Sequence, residues 1–229
     1  MTTATGARGG PSARGKARLD HDTIVAAGLE LAAETGGITL SVRELGARLG
    51  ADPTAIYRHF RNKEELMQAL LDALNARSVA TVTAPREDWR ARLRQLSGAT
   101  LELFSAHPAI AAEAVVLTTH GRGELDAVEL MLDAFAQAGL ADEELVRHYA
   151  LLASHVLSTA SGIARSRSER GANADGTSPW FDGPVLADPR SHPRVAEFGP
   201  RLVELEDRDL FQHGVEVIIA SAERAAAGR

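Results

Sequence analysis

The sequence contains no cysteine. A disulfide bond, a thiolate nucleophile and a cysteine-ligated metal site are therefore excluded. Long apolar runs are also missing, since no stretch approaches the roughly 18 residues that a membrane-spanning helix needs. The first residues, MTTATGARGG, lack the apolar segment of a secretory signal peptide. Together these absences favour a cytoplasmic protein that does not enter a membrane.

Catalytic signatures are missing as well. The sequence has no G-x-S-x-G, no H-E-x-x-H, no P-loop and no dinucleotide-binding pattern. The carboxylates of Glu143 and Glu144 are adjacent in sequence and point apart on a helix. An enzyme is therefore not expected, and neither a metal ion nor a cofactor is expected. Aromatic residues make up only 4% and β-branched runs are scarce, whereas alanine, leucine and glutamate are abundant, which favours helix throughout.

The net charge of −6 is unevenly distributed along the chain. Up to residue 63 there are nine basic and six acidic residues, a balance of +3, which leaves −9 for the remainder. A basic N-terminal part on an acidic remainder indicates that only the first part meets an anionic partner. The nine basic residues are Arg8, Arg14, Lys16, Arg18, Arg43, Arg48, Arg58, Arg61 and Lys63.

Capping signals define two helices before residue 50. Asp20 is a predicted N-cap, and the pair Gly36-Gly37 ends the helix that it begins. Ser41, with Glu44 three residues later, forms a capping box for a second helix. Gly50 ends this second helix after only two turns.

The same kind of signal begins two more helices. Asp52 and Pro53 restart the chain as N-cap and first helical residue, so a third helix should run from Pro53 to about Phe60. Asn62 caps a longer fourth helix, with Glu65 at the capping-box position.

Two short capped helices joined by a glycine turn, with a helix on either side, form a helix-turn-helix. The exposed N-terminal part of its second helix is the part that enters a DNA major groove. The positions predicted to face inward are Leu45, Leu49, Ile56 and Phe60. The positions predicted to face outward on the third helix are Thr54, Ala55, Tyr57, Arg58 and His59.

The rest of the chain predicts more helices, with no internal repeat and no strand-like alternation. The expected fold is all-α, with about nine to ten helices in all. The stretch from Arg165 to His192 is rich in glycine, proline, serine and aspartate and predicts a long loop. The predicted helices of this part are Trp89 to about His107, residues 109–117, a helix that Gly139 ends, Asp142 to about Arg165, Pro193 to Glu206, and a last helix from about Asp209.

The stretch LDHDTIVAAGLELAAETGGITLSVRELGARLGADPTAIYRHFRNKEELMQALLDAL, and YRHFRNKEEL above all, resembles the DNA-binding domain of the tetracycline-repressor (TetR) family of bacterial transcriptional regulators. The resemblance covers residues 19 to 75. It implies an N-terminal helix-turn-helix DNA-binding head (19–75) and a C-terminal helical body for effector binding and dimerisation (76–229). The segments HPAIAAEAVV and FQHGVEVIIASAE are similar to bodies of proteins near the tetracycline repressor itself.

The resemblance also implies roles for single residues. Arg43 matches a position that approaches DNA, and Lys63 matches a lysine that contacts phosphate at a helix N-terminus. Family members often have a polar residue where this chain has Ala55, so base reading there is reduced to an apolar contact with a thymine methyl. The residues expected at the DNA are Arg43, Thr54, Ala55, Tyr57, Arg58, His59 and Lys63. The implied partner is double-stranded DNA with a pseudo-palindromic operator.

Residues 1–18 are rich in glycine, alanine, serine and arginine and show no apolar periodicity, so they are expected to be disordered in isolation. Two interpretations remain for this basic arm. It is either a tail without function or an arm that follows phosphates or the minor groove.

The body is expected to bind an unknown small-molecule effector, because apolar residues with a few polar groups among them suit a ligand pocket. Two alternatives remain: each apolar residue could belong to the ordinary core, or the body could bind a protein. His148 and His155 are seven residues apart, which is too far for a compact metal-binding pair. The candidate ligand-binding residues are Phe104, His107, Leu117, His120, Met131, Phe135, Tyr149, Leu152, His155, Thr159 and Trp180.

A homodimer is expected, because two recognition helices related by a two-fold axis suit successive major grooves. The eighth and last helices carry apolar stripes beside small residues and could form an intermolecular four-helix bundle. The predicted interface residues are Leu151, Val156 and Ala160 of the eighth helix and Val215, Ile218 and Ala222 of the last.

Overall fold

The structure is a computed structural model that describes residues 19–170, Gly183 and residues 185–228. Within these ranges it contains ten helices and no strand, which confirms the all-α prediction. The basic arm 1–18 and Trp180 lie outside the described residues. The helices are α1 (His21–Thr35), α2 (Val42–Leu49), α3 (Pro53–Ile56), α4 (Lys63–Ala80), α5 (Trp89–Ala106), α6 (Pro108–Ala111), α7 (Arg122–Gln137), α8 (Asp142–Arg170), α9 (Pro193–Leu202) and α10 (Asp207–Ala227).

All four capping side chains predicted in the head act as N-caps. Asp20 accepts from the N–H of Thr23, Ser41 from Glu44, Asp52 from Thr54 and Asn62 from Glu65. Each such cap is worth about 1 kcal/mol, because it satisfies an N–H that has no partner within its own helix. The predicted ends of the first two helices are confirmed too, since Gly36 and Gly50 adopt left-handed conformations with φ of 58° and 60°.

The third helix is shorter than predicted. It ends at Ile56 after one turn, and residues 57–59 continue as a turn in which the N–H of His59 donates to the Ile56 carbonyl at 2.9 Å. The backbone therefore keeps a helix-like path up to Phe60 without the regular i→i−4 ladder. Phe60 closes this segment, because its side chain is buried against the ring of His21, with 4.7 Å between the ring centroids.

The core of the head is built from the residues expected to face inward. Leu45, Ile56 and Phe60 are buried, whereas Leu49 is only half-buried. They pack with apolar side chains of α1 and α4, including Ile24 and Leu66. The outer side of α2 and α3 is consequently left to solvent.

Helix α4 joins the head to the body without a break. It begins at Lys63 beside the helix-turn-helix and ends at Ala80, five residues beyond the predicted boundary at residue 75. Leu66, Leu70 and Leu74 lie along its buried side. Because one rigid helix belongs to both parts, a displacement of the helix in the body also moves the head.

The body consists of α5 to α10, and three predictions about it needed correction. The sixth helix was expected over residues 109–117, but only Pro108–Ala111 is helical and turns follow. The eighth helix continues through Arg170, so the predicted loop loses its first residues. The ninth helix ends at Leu202, and α10 begins at Asp207, where the buried carboxylate of Asp207 accepts from Arg167 of α8 at 2.6 Å.

Candidate DNA-binding surface and ligand cavity

Most side chains predicted to meet DNA are exposed on one side of the head. Arg43 on α2, Thr54 on α3, Arg58 and His59 in the turn after it, and Lys63 at the start of α4 are all exposed. Tyr57 is 42% exposed although it is large and aromatic. Ala55 is half-buried.

The basic side chains of the head divide into paired and unpaired groups. Arg48 is held by Glu30 at 2.9 Å and by Glu34 at 2.5 Å, so its charge is neutralised on the side of α1. Arg61 pairs with Glu65 at 3.2 Å.

The other cations of this surface have no such partner. Within the described part of the chain, no carboxylate lies within ion-pair distance of Arg43, Arg58 or Lys63. These three cations therefore remain available for phosphate groups.

The start of α3 is held rigidly. The Thr54 hydroxyl donates to Asp52 at 2.6 Å, and the Thr54 N–H donates to the same oxygen at 2.8 Å. Both hydrogen bonds lower the pKa of the Asp52 carboxyl, and the bond from the hydroxyl has the larger effect. Asp52 is thus an anion at neutral pH and orients Thr54, so base or phosphate contacts by Thr54 use an already fixed side chain.

The body encloses a cavity between α4, α5, α7 and α8. Its volume is about 90 Å³. Its walls are mostly apolar, with polar groups from each of these helices and from the segment before α7. The lining residues are Leu71, Asn75, Ser78, Leu96, Ser97, Thr100, Ala114, Leu117, Thr119, Glu124, Ala127, Val128, Met131, Tyr149, Ala153, Val156 and Leu157.

Three of the eleven predicted ligand-binding residues line this cavity, namely Leu117, Met131 and Tyr149. Burial of the Tyr149 hydroxyl and then the charge of Glu124 raise the pKa of that phenol. Most of the other predicted residues lie elsewhere, for two different reasons. Phe104, Phe135 and Leu152 are fully buried in the close-packed core.

The predicted histidines and Thr159 are not among the residues that line the cavity. His107 donates to the Leu103 carbonyl at 2.7 Å, and burial lowers its pKa, so it is a neutral side chain at the end of α5. His155 contacts the Phe211 carbonyl of α10 at 2.9 Å, with Thr159 beside it at 3.4 Å. His120 is exposed.

Sequence reasoning missed the polar side of the cavity. Several polar residues of the lining were not among the predicted ligand-binding residues, namely Glu124, Thr119, Asn75, Ser78 and Thr100. Thr119 and Glu124 are five residues apart, which differs from the three-residue spacing of a capping box, so no local pattern marks them.

The predicted dimer interface needs a correction. Val156, Ala160, Val215 and Ala222 are buried within the single chain, so they have little surface to offer a second copy. Leu151 is 48% exposed and Ile218 is half-buried. The apolar residue on α10 that does face solvent is Val217, which is 50% exposed.

The described ranges contain neither a candidate metal-binding cluster nor a candidate membrane-spanning helix. No group of three or more histidine, aspartate or glutamate side chains there could hold a metal ion. No described helix is both long enough and apolar enough to cross a membrane.

Comparison with known proteins gives similarity along nearly the whole chain. Residues 24–70 match the family described as bacterial regulatory proteins, tetR family, and residues 83–224 match the tetracyclin repressor-like C-terminal domain. The HTH-type transcriptional repressor Rv1353c of Mycobacterium tuberculosis is 28% identical over 232 residues, covering 98% of this chain and 87% of that protein.

Two further proteins are similar to the chain. The HTH-type transcriptional repressor DrrR1 of Streptomyces coeruleorubidus is 29% identical over 230 residues, covering 96% and 83% of the two chains. The crystal structure of the Streptomyces coelicolor protein ActR in complex with (S)-DNPA shares the fold, with a TM-score of 0.74, 24% identity and coverage of 92% and 100%. With its capped helix-turn-helix and its helical body, the chain belongs to the tetracycline-repressor family of DNA-binding transcriptional regulators.

Proposed function

We propose that the protein is a homodimeric repressor whose affinity for its operator falls when a small molecule occupies the body cavity. The observation that carries this proposal is the position of α4. The same helix begins at Lys63 on the DNA-facing surface and provides Leu71, Asn75 and Ser78 of the cavity wall. Relatives that are described as repressors support the sign of regulation.

The contact with DNA is assigned to the exposed surface of the head. Thr54, Ala55 and Tyr57 at and after the start of α3 would meet base edges, and Arg43, Arg58, His59 and Lys63 would meet the backbone. Lys63 lies at the N-terminus of α4, where the helix dipole and unpaired N–H groups add to the attraction for phosphate.

The small-molecule response rests on the enclosed, mainly apolar cavity with few polar groups. A body that served only as a protein-binding surface would be expected to have a filled core and an exposed apolar patch. The neighbouring ActR structures contain (S)-DNPA and actinorhodin, which shows that this fold holds small molecules in those proteins.

The coupling between cavity and head is assigned to Asp72 of α4. Its carboxylate accepts from the N–H of Gly123 at 3.1 Å, the N–H of Glu124 at 2.9 Å and the hydroxyl of Thr119 at 2.9 Å. The N-cap residue of α7, Gly121, has no side chain for capping, so Asp72 caps α7 from another helix.

The start of α7 also lies directly on the backbone of α4. A Cβ on Gly123 would fall 2.1 Å from the carbonyl oxygen of Asp72, a distance that no side chain tolerates. Thr119 and Glu124 line the cavity, so a ligand that displaces them also displaces Asp72. Asp72 is nine residues from Lys63, about 14 Å along a rigid helix.

The dimer interface is reassigned to the outer side of α8 and α10. Leu151, Ser154 and Ser158 of α8 are exposed at helical spacing, as are His213 and Val217 of α10. The two helices are adjacent, since His148 of α8 lies 3.2 Å from the hydroxyl of Ser221 of α10, which supports a shared surface. Small residues beside apolar ones allow two such pairs to pack closely as a four-helix bundle.

The test is selection of bound DNA by the full chain from random-sequence duplexes, followed by sequencing. A pseudo-palindromic sequence with half-sites in successive major grooves supports the proposal. Enrichment of a single half-site without symmetry, or of no sequence at all, contradicts the assignment of a dimeric operator-binding protein.

A further inference from the structure

The cavity has a marked asymmetry of charge. Among the described residues that line it, Glu124 is the one with an ionised side chain, and Leu71, Leu96, Val128, Met131 and Val156 form much of the remaining wall. A carboxylate next to apolar walls loses hydration and is unfavourable unless a cation or hydrogen-bond donors compensate it.

The hydrogen-bond donors among the described residues reach only one of the two carboxylate oxygens of Glu124. Oε2 of Glu124 accepts from the Thr119 N–H at 2.9 Å and the His120 N–H at 2.7 Å. The Thr119 hydroxyl lies 2.9 Å from both Oε2 of Glu124 and the Asp72 carboxylate, so its one proton is shared between the two. Within the described residues, no donor lies within hydrogen-bond distance of Oε1. The carboxylate is thus fixed in place by one oxygen, with the other available to a ligand.

Among the described residues, no cation lines the cavity to neutralise this charge, because lysine and arginine are absent from the described lining. Tyr149 lines the same cavity with an aromatic ring, which attracts cations through its negative face. The carboxylate of Glu124 and the ring of Tyr149 both favour a positively charged ligand, and both disfavour an anion.

We propose that the effector class of this cavity is a mainly apolar organic cation, such as a protonated amine on a ring system, whose positive nitrogen binds Oε1 of Glu124. This inference rests on the proposed function, because it specifies the ligand of the same cavity. It also assigns a second task to Glu124, since the carboxylate that binds the cation is hydrogen-bonded to the residues that cap α7.

The test uses three probes with one ring system and different charges. At neutral pH 9-aminoacridine is a cation, acridine is neutral and acridine-9-carboxylate is an anion. Isothermal titration of each probe into the full chain, without DNA, gives the dissociation constants. We expect 9-aminoacridine to bind at least about tenfold more tightly than either analogue, given the strength of a charge pair in a partly buried site.

Glu124→Gln removes the charge and keeps an amide oxygen that can accept from Thr119 and His120. This variant should bind acridine as the wild type does and lose the preference for 9-aminoacridine. Glu129→Gln is the matched control, because Glu129 is an exposed carboxylate of the same helix, and it should keep the preference. Val128→Lys places an ammonium one turn from Glu124 and should shift the preference towards the anion.

The outcomes separate the two levels of the proposal. Equal binding of the three probes, or an unchanged preference in Glu124→Gln, overturns the cationic class and leaves the cavity as a ligand site. Binding of none of the probes also overturns the proposed ligand class, whereas the proposed function is tested separately by operator affinity in the presence of compounds that depend on the cavity.

Discussion

At the scale of single residues, carboxylate partners distinguish the basic side chains of the head. Arg48 and Arg61 are two of its five basic residues, and both form ion pairs within the head. The partners of Arg48 precede it by 14 and 18 residues, so no local pattern shows the pairing. Lys63 has no such partner in the described ranges, and its role follows from its position at a helix start.

Lys63→Ala should weaken operator binding without affecting the fold, because its side chain is exposed. Loss of one phosphate contact should lower the affinity about tenfold and reduce the slope of log affinity against log salt by about 1. Fluorescence anisotropy at several salt concentrations measures both quantities. Arg122→Ala, which removes an exposed cation of the body, is the control and should leave both unchanged. An unaltered salt slope in Lys63→Ala would show that Lys63 does not contact phosphate.

Asp133 gives a prediction about pH. Hydrogen bonds from Arg86 and then Arg92 lower the pKa of its carboxyl from 3.8 to about 2. Because the folded-state pKa lies below the ordinary value, the stabilisation is complete above about pH 4 and disappears as the pH falls towards 2.

Asp133→Asn should lower the free energy of unfolding at neutral pH by about 1 kcal/mol, since Arg86 is largely exposed and solvent screens the pair. It should also flatten the loss of stability between about pH 4 and 2. Urea unfolding followed by circular dichroism at several pH values measures both effects. If Asp133→Asn and the control Glu129→Gln have the same pH profile, the ion pairs do not stabilise the fold.

At the scale of helices, the sequence predicts starts and stops well and side-to-side packing poorly. Asp20, Ser41, Asp52 and Asn62 act locally, so their capping roles can be read from neighbouring residues. Asp72 caps a helix that begins 50 residues later, at Arg122, and nothing near it in sequence shows this. Most of the lining of the cavity was missed for the same reason, because four separate helices form its walls.

Asp72→Asn should loosen the contact between α4 and the start of α7. An amide offers only one acceptor atom and no charge, so the N–H groups of Gly123 and Glu124 lose part of their cap, at about 1 kcal/mol. Hydrogen–deuterium exchange of the segment 119–127 should become faster.

Asp126→Asn is the control, because Asp126 is exposed on α7 and its ion-pair partner, Arg122, belongs to the same helix. Equal exchange rates for segment 119–127 in the two variants would contradict the role assigned to Asp72.

At the scale of the whole molecule, charge and burial separate the two functions of the chain. The net charge of the sequence is +3 up to residue 63 and −9 in the remainder. Apolar stripes alone did not identify a dimer surface, because a stripe on α8 or α10 can face either its neighbour or a second copy. The single-chain burial of Val156 and Val215 decides between these alternatives.

Leu151→Glu should convert the dimer into a monomer, because it places a charge in the proposed apolar contact between copies. The matched control is Leu125→Glu, since Leu125 is also apolar, 63% exposed and helical but lies on α7. Sedimentation velocity should show a monomer for the first variant only. A dimer that persists in Leu151→Glu would place the interface elsewhere.

One measurement tests most directly whether the cavity controls the head. Compounds are first chosen because they raise the melting temperature of the wild type but not of Ala153→Phe, whose larger side chain fills the cavity. Operator affinity is then measured by fluorescence anisotropy with and without these compounds. We expect them to weaken operator binding of the wild type by at least about fivefold and to leave Ala153→Phe unaffected. If compounds that depend on the cavity for binding change the operator affinity of the wild type less than about twofold, cavity and head are not coupled.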